Sequence, residues 1–110
     1  MAIVNQQLTT TQLDMITVPS GKSYAITNIM VCNNGSATAT FDMHFVPQSS
    51  SLSNAVTRVI NSLELPVGET FTFDSERVVL EVGDKLAFVA EPDSGAGLTA
   101  LSATVSYLEV

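Results

Sequence analysis

The chain is poor in the residues on which many small metal-binding, disulfide-bonded and catalytic proteins depend. Its 110 residues include no tryptophan, one cysteine and one histidine. A single cysteine cannot form an intramolecular disulfide, and one histidine with one cysteine cannot supply a usual zinc site. Cys32 ends the apolar run 29–32, so we expect a buried, inert thiol there. The sequence predicts no cofactor and no metal.

Basic residues are also scarce. Eleven acidic residues stand against four basic ones, which gives a formal net charge of −7. Proteins that bind nucleic acid use clustered lysine and arginine to displace counterions from phosphates. Here Lys22, Arg58, Arg77 and Lys85 are scattered along the chain. We therefore expect neither nucleic acid nor membrane surfaces as partners. The acidity favours solubility, with docking onto a basic surface as the alternative.

Long apolar runs are absent as well. No segment approaches the roughly 18 residues that a membrane-spanning helix needs. Residues 1–7 have neither the basic patch nor the apolar stretch of a signal peptide, so we expect the protein to stay in the compartment where it is made.

Short alternating runs rich in β-branched and aromatic residues dominate the chain, and sustained helical periodicity is missing. In residues 37–46, apolar Ala39, Phe41, Met43 and Phe45 alternate with polar residues, which predicts a half-buried strand. Further strands are predicted at 23–33, 55–65, 69–74, 77–82, 85–91 and 98–110, and exposed loops at 47–54 and 92–97. The fold class is therefore all-β: a small antiparallel β-sandwich of about seven to eight strands, jelly-roll or immunoglobulin-like. We divide the chain into an extended N-terminal arm, 1–12, and one domain, 13–110.

Glycine-containing turns separate the strands. Asn34 and Gly35 stand between two strand-like runs, which predicts a β-hairpin with a type I′ turn. A second pattern, an apolar residue followed by a tight turn with glycine at its corner, occurs three times, at Gly21, Gly68 and Gly83. A turn that needs a positive φ at one position explains these glycines.

Candidates for catalysis or ligand binding are few. His44 falls on the polar face of its predicted strand with Asp42 two residues away, and we expect an exposed histidine rather than a catalytic base. Calcium ligands are conceivable at Asp74 with Glu76, or at Glu91 with Asp93, but neither segment has a calcium-loop spacing. Tyr24 and Tyr107 are the only tyrosines, which weakens the hypothesis of a carbohydrate-binding module. We predict that the protein is not an enzyme.

The order of these landmarks resembles the small β-sandwich virion structural proteins of tailed bacteriophages, which are capsid decoration (cement) proteins or tail components. The resemblance covers the chain from about Val18 onward, and its motifs are turns and strands at residues 21–29, 31–33, 65–71, 76–80, 83–86 and 104–110.

This resemblance implies a role in assembly. We expect a virion protein, assembled in the host cytoplasm, that binds the major capsid protein or other virion proteins and forms homo-oligomers, with trimers as one form. The expected contact residues are Ile3, Val4 and Leu8 of the N-terminal arm, which would clamp a neighbour, and Ser49, Ser50, Ser51 and Leu52 of the serine-rich loop. Two alternatives stay open: a tail, baseplate or fibre component that binds the host surface, and a free carbohydrate- or calcium-binding module.

Overall fold

The described chain is built from β-strands joined by short turns. The computed structural model describes residues 2–53, 55–73, 78–91 and 101–110. The strands in these ranges are β1 Ala2–Gln7, β2 Leu13–Thr17, β3 Tyr24–Asn33, β4 Ala39–Val46, β5 Arg58–Leu65, β6 Thr70–Phe73, β7 Val78–Leu80, β8 Lys85–Ala90 and β9 Leu101–Glu109. The predicted loop at 92–97 lies outside the described residues. None of the described residues forms a helix long and apolar enough to cross a membrane.

The strands form two antiparallel sheets that pack face to face. One sheet has the order β1-β9-β3-β6, with β7 also paired to β3, and the other has the order β2-β8-β4-β5. The chain thus pairs β1 with β9, β2 with β8, β3 with β6 and β7, and β4 with β5, as a long hairpin rolled up on itself. The all-β sandwich prediction is confirmed, and this strand order is that of a jelly roll rather than an immunoglobulin fold.

The core fills the space between the sheets with side chains from alternate positions of each strand. Val4, Val105 and Ile29 come from neighbouring strands of one sheet in register and point inward together. The ring of Phe41 from the opposite sheet lies 5.9 Å from Phe71 and 6.2 Å from Phe88, centroid to centroid. Aromatic pairs at these separations add to the burial of apolar area, which drives folding.

The N-terminal segment is part of the sandwich. Ala2–Gln7 form β1, which pairs with β9 from Ala2 opposite Tyr107 to Gln7 opposite Ser102, and Leu8 is fully buried. The predicted division into an arm over 1–12 and a domain over 13–110 is therefore wrong. The polar residues Gln6 and Gln7 break the alternation that would indicate a strand in the sequence. The pairing partner of β1 also lies about a hundred positions away in the chain, so no neighbouring segment indicates the strand.

The predicted hairpin at Asn34 and Gly35 is also wrong. β3 and β4 lie in different sheets, so residues 34–38 cross from one sheet to the other, and Gly35 does not have a positive φ. The side chain of Asn33 shapes this crossing. Its Nδ2 donates to the carbonyls of Ala37 (2.9 Å) and Leu65 (2.7 Å), and its Oδ1 accepts from Gly35 N (2.8 Å). A local asparagine motif has replaced the expected type I′ turn.

The three glycine turns are confirmed. Gly21, Gly68 and Gly83 have φ values of 78°, 79° and 83°. In each case the residue after the glycine donates its N–H to the carbonyl two residues before the glycine, at 3.3, 3.2 and 2.9 Å. A bond spanning four residues with a positive φ at the third matches a type II turn. Glycine is favoured there because a Cβ disfavours this backbone conformation.

Candidate functional site

The outer face of the β1-β9-β3-β6 sheet is uncharged at every described position. Register places its outward side chains in rows across the sheet, for example Asn5, Thr104, Met30 and Thr72. All are exposed or half-exposed. We call this surface the uncharged face, and its described residues are Ile3, Asn5 and Gln7 (β1), Ser102, Thr104, Ser106 and Leu108 (β9), Ala25, Asn28, Met30 and Cys32 (β3), Thr70 and Thr72 (β6) and Val79 (β7).

The opposite face of the molecule has the contrary character. The outward positions of the β2-β8-β4-β5 sheet include the charged residues Asp14, Asp42, Arg58, Glu64 and Lys85. Lys85 Nζ lies 3.6 Å from an Asp14 carboxylate oxygen, and Arg58 NH1 lies 3.7 Å from an Asp42 oxygen. The charges of the two outer faces are therefore strongly asymmetric. Depletion of charge is the compositional mark of the centre of a protein–protein interface.

Strand β1 borders the uncharged face at one end of its sheet. Within the described residues it pairs with β9, the register between them has no bulge, and none of the residues of β1 is proline or charged. Natural proteins usually protect edge strands with lysine, proline or bulges, because an unprotected edge is a template for pairing with another chain. The described part of β1 has none of these features, and its residues suit pairing with a further strand.

The contact residues expected from the sequence do not form one surface. Ile3 is 68% exposed on the uncharged face, whereas Val4 points inward against the core. Leu8 is 0% exposed, so its assignment as a contact residue is wrong: it is a core residue.

The serine-rich loop lies at one end of the sandwich, away from the uncharged face. Ser49, Ser50 and Ser51 are exposed and Leu52 is half-buried. The loop is attached to a neighbouring turn by Gln48 N, which donates to Asp84 Oδ1 (2.9 Å).

Most of the uncharged face could not be recognised from the sequence, because only the register between strands distant in the chain brings its residues together. The signal available was the absence of charge at alternate positions of the last strand.

Cys32 lies on the uncharged face and is half-buried, so the prediction of a buried thiol is wrong. Val31 and Asn33 point inward, and alternation along β3 turns Cys32 outward. Its Sγ lies 3.4 Å from Asn34 Oδ1.

His44 is fully buried, which contradicts the prediction of an exposed histidine. The segment before β5 covers the outer side of β4. There Thr57 Oγ1 accepts from Ser53 N and donates to Ser53 O, both at 2.9 Å. Because the hydroxyl has one hydrogen, His44 Nδ1 is the donor in its 2.8 Å bond to Thr57 Oγ1. Among the described residues His44 Nε2 has no partner.

Burial lowers the pKa of His44. The nearby Asp42 carboxylate opposes this shift, and the Arg58 guanidinium adds to it. Asp42 is also buried, and its Oδ1 accepts from Ser62 N (2.6 Å) in a bulge of β5, where Ser62 has a φ of 53°. Strand β4, predicted as half-buried, is thus covered on both faces at Asp42 and His44. This cluster fixes Ser53 and Thr57 to the sheet beside His44.

Of the four calcium candidates, Glu91 lies within the described residues. Asp74, Glu76 and Asp93 lie outside the described residues. Glu91 Oε2 accepts a hydrogen bond from Ser62 Oγ. In the described ranges no group of three or more histidine, cysteine, aspartate or glutamate side chains is placed to hold a metal ion.

Two clefts open at the end of the sandwich where β3 begins and β9 ends. A cavity of about 100 Å³ is lined by Phe45, Val46, Pro47, Leu80 and Asp84.

The larger cleft, of about 300 Å³, is lined by Ala2, Lys22, Tyr24, Tyr107 and Glu109, and we call it the tyrosine cleft. Register brings together the chain's two tyrosines, which come from different strands, with ring centroids 4.5 Å apart.

Comparison with known proteins does not assign the chain to a family. A scan against protein-family models finds no match for the chain, and a search of curated proteins finds none either. The class of protein is therefore defined by the fold: a small antiparallel β-sandwich with one uncharged outer face.

Proposed function

We propose that the chain is a non-enzymatic structural protein of a bacteriophage virion, a capsid decoration protein that binds the major capsid protein through the uncharged face. The observation that supports this proposal is the charge asymmetry between the two outer faces. In a protein with a net charge of −7, every described outward residue of one sheet is uncharged. A face that stays in water has no need of such depletion, whereas a face that is desolvated in a complex avoids the cost of burying charge.

The dimensions of this face bear on how firmly one copy attaches. Four strands about 4.8 Å apart and about 23 Å of strand length give a footprint of roughly 450 Å². A standard interface buries about 800 Å² on each partner. The uncharged face alone is therefore too small for tight binding, and a second contact is needed.

The outer edge of β1 supplies that second contact in the proposal. An uncharged edge strand with an exposed Ile3 suits pairing with a strand of a neighbouring copy, which gives the expected homo-oligomer. Simultaneous contact with capsid and neighbour then raises the effective affinity of each copy.

Copy number in purified source particles is the first test. Quantitative mass spectrometry against the major capsid protein should give a ratio near one copy for each capsid subunit, or one for each three. A handful of copies would favour the alternative location in the tail, baseplate or fibre. Absence from the particles would refute a virion role altogether.

A matched pair of variants tests the docking face. Thr104→Lys places a charge in the middle of the uncharged face, and Thr40→Lys places the same charge on the opposite outer face, at a similarly half-exposed position. Thr104→Lys should weaken binding to undecorated particles by at least about tenfold, because an unpaired charge would be desolvated. Thr40→Lys should bind like the parent chain. Equal binding by both variants would exclude this face.

A third variant tests the β1 edge. Ile3→Lys adds the residue with which natural proteins protect edge strands. Sedimentation should show loss of the oligomer while the far-ultraviolet circular dichroism spectrum is kept. An unchanged oligomer would remove β1 from the proposed contact.

A further inference from the structure

We propose that the tyrosine cleft binds a neutral saccharide. The cleft lies on the inner side of the β1-β9-β3 sheet, at the mouth of the sandwich. It does not overlap the uncharged face, because Tyr107 and its partner Ala2 point to the opposite side of the sheet from Ile3 and Ser106. This binding role goes beyond the docking function and does not depend on it.

The aromatic groups of the cleft suit a sugar ring. Tyr24 and Tyr107 are half-exposed, and their rings are inclined by 40° to each other. Tyrosine offers a flat apolar surface together with a hydroxyl. Within the described residues, none of the hydrogen bonds uses either phenol hydroxyl. A saccharide has the matching character, with apolar C–H faces and hydroxyls around its rim.

The charged groups of the cleft favour a neutral ligand. Lys22 Nζ and Glu109 Oε1 lie 3.5 Å apart, with side chains 45% and 54% exposed. Their charges cancel, so the cleft selects neither an anion nor a cation by charge. The net charge of −7 further disfavours acidic sugars. The pair nevertheless provides donors on the ammonium and acceptors on the carboxylate, which are the groups that hydrogen-bond sugar hydroxyls.

The volume sets the size of the ligand. Pockets for small molecules span about 300–1,000 Å³. At about 300 Å³ the tyrosine cleft suits the terminal unit or units of a glycan rather than a long internal stretch. The adjoining cavity, at about 100 Å³, is too small for a sugar.

The experiment uses the full chain and a panel of oligosaccharides in three groups. The first contains neutral oligomers of glucose, galactose, mannose and N-acetylglucosamine, the second sialylated oligomers, and the third cationic glucosamine oligomers. Isothermal titration and NMR chemical-shift mapping give the affinity and the place of binding. The variants are Tyr107→Ala and Glu109→Gln, with Val67→Ala as control, since Val67 is exposed at the opposite end of the sandwich.

We expect at least one neutral oligomer to bind, with shifts centred on Tyr24 and Tyr107. Tyr107→Ala should weaken its binding by roughly tenfold, and Val67→Ala should leave it unchanged. Glu109→Gln keeps the fold, because its side chain is more than half exposed, and should weaken binding without changing the melting temperature.

Three results would overturn the proposal: no binding of any neutral oligomer at millimolar concentration, binding only by a charged group, or neutral binding that survives both cleft substitutions. None of these results would affect particle binding by Thr104→Lys or Thr40→Lys, so the two proposals fail separately.

Discussion

Replacement of Asn33 by alanine should destabilise the protein by about 3 kcal/mol, although the residue lies at the end of a strand in a turn-like segment. Its side chain is 1% exposed and makes three hydrogen bonds to main-chain groups. A typical intramolecular hydrogen bond contributes about 0.5–1.5 kcal/mol net. Three at about 1 kcal/mol each give the expected total, and burial at Asn33 prevents water from replacing them.

The structural consequence should be concentrated at the crossing between the sheets. Leu65 O and Ala37 O lose a donor, and Gly35 N loses an acceptor. For a domain whose total stability is about 5–15 kcal/mol, a loss of about 3 kcal/mol is a large fraction. At about 4 °C for each kcal/mol, the melting temperature should fall by about 12 °C.

Asn34 provides the matched control. It is the next residue, it is exposed, and its side chain donates one hydrogen bond to Ser102 Oγ (2.9 Å). Asn34→Ala should cost less than about 0.5 kcal/mol, because water can satisfy the freed groups.

Urea denaturation followed by far-ultraviolet circular dichroism measures both variants, which avoids reliance on tryptophan fluorescence in a chain without tryptophan. A loss below 1 kcal/mol for Asn33→Ala, or equal losses at the two positions, would refute the reasoning.

Three further predictions concern other features of the fold. Burial lowers the pKa of His44 below its ordinary value of 6.5, so the unfolded chain binds the proton more readily than the folded chain. The free energy of unfolding should therefore fall as the pH decreases below about 6.5. In urea titrations at pH 7.5 and 5.0, His44→Gln should reduce that decline. Thr57→Val should lower the free energy of unfolding by about 1–3 kcal/mol, because His44 Nδ1 and Ser53 O lose their hydrogen bonds to the buried hydroxyl. The same substitution should increase hydrogen exchange in residues 55–57. Gly83→Ala should lower the melting temperature more than Gly21→Ala, because a Cβ at Gly83 would lie 2.6 Å from Gln48 Cγ, whereas one at Gly21 meets nothing within 4 Å; equal shifts would contradict this contact.

The features that could be predicted from the sequence are those that depend on neighbours in the chain. Alternation located β4 and β9, because a strand exposes its side chains to two faces in turn. Gly21, Gly68 and Gly83 were recognised as turn residues for the same reason: a positive φ is a requirement of a single residue.

The features that could not be predicted depend on partners far away in the chain. An Asn-Gly pair between two strands does not reveal whether the second strand joins the same sheet or the opposite one. Here the crossing was decided by Asn33, whose Nδ2 reaches the carbonyl of Leu65, 32 residues away. The burial of His44 was likewise invisible, because it depends on the segment that carries Thr57 folding over β4. Strand β1 was not predicted, because its partner β9 lies at the other end of the chain.

The charge asymmetry illustrates the same limit for the candidate site. Along the chain, Asn5, Met30, Thr72 and Thr104 are unremarkable residues in different strands, and only the register of four strands places them in one row. Because the tyrosine cleft lies on the other side of this sheet, a charge at Thr104 and the loss of the ring at Tyr107 act on surfaces with no shared contact. Their effects on particle binding and saccharide binding should therefore be independent, and in the double variant each free-energy change should equal that of the single substitution to within about 0.5 kcal/mol. A larger coupling would mean that capsid and saccharide compete for one surface, which neither proposal allows.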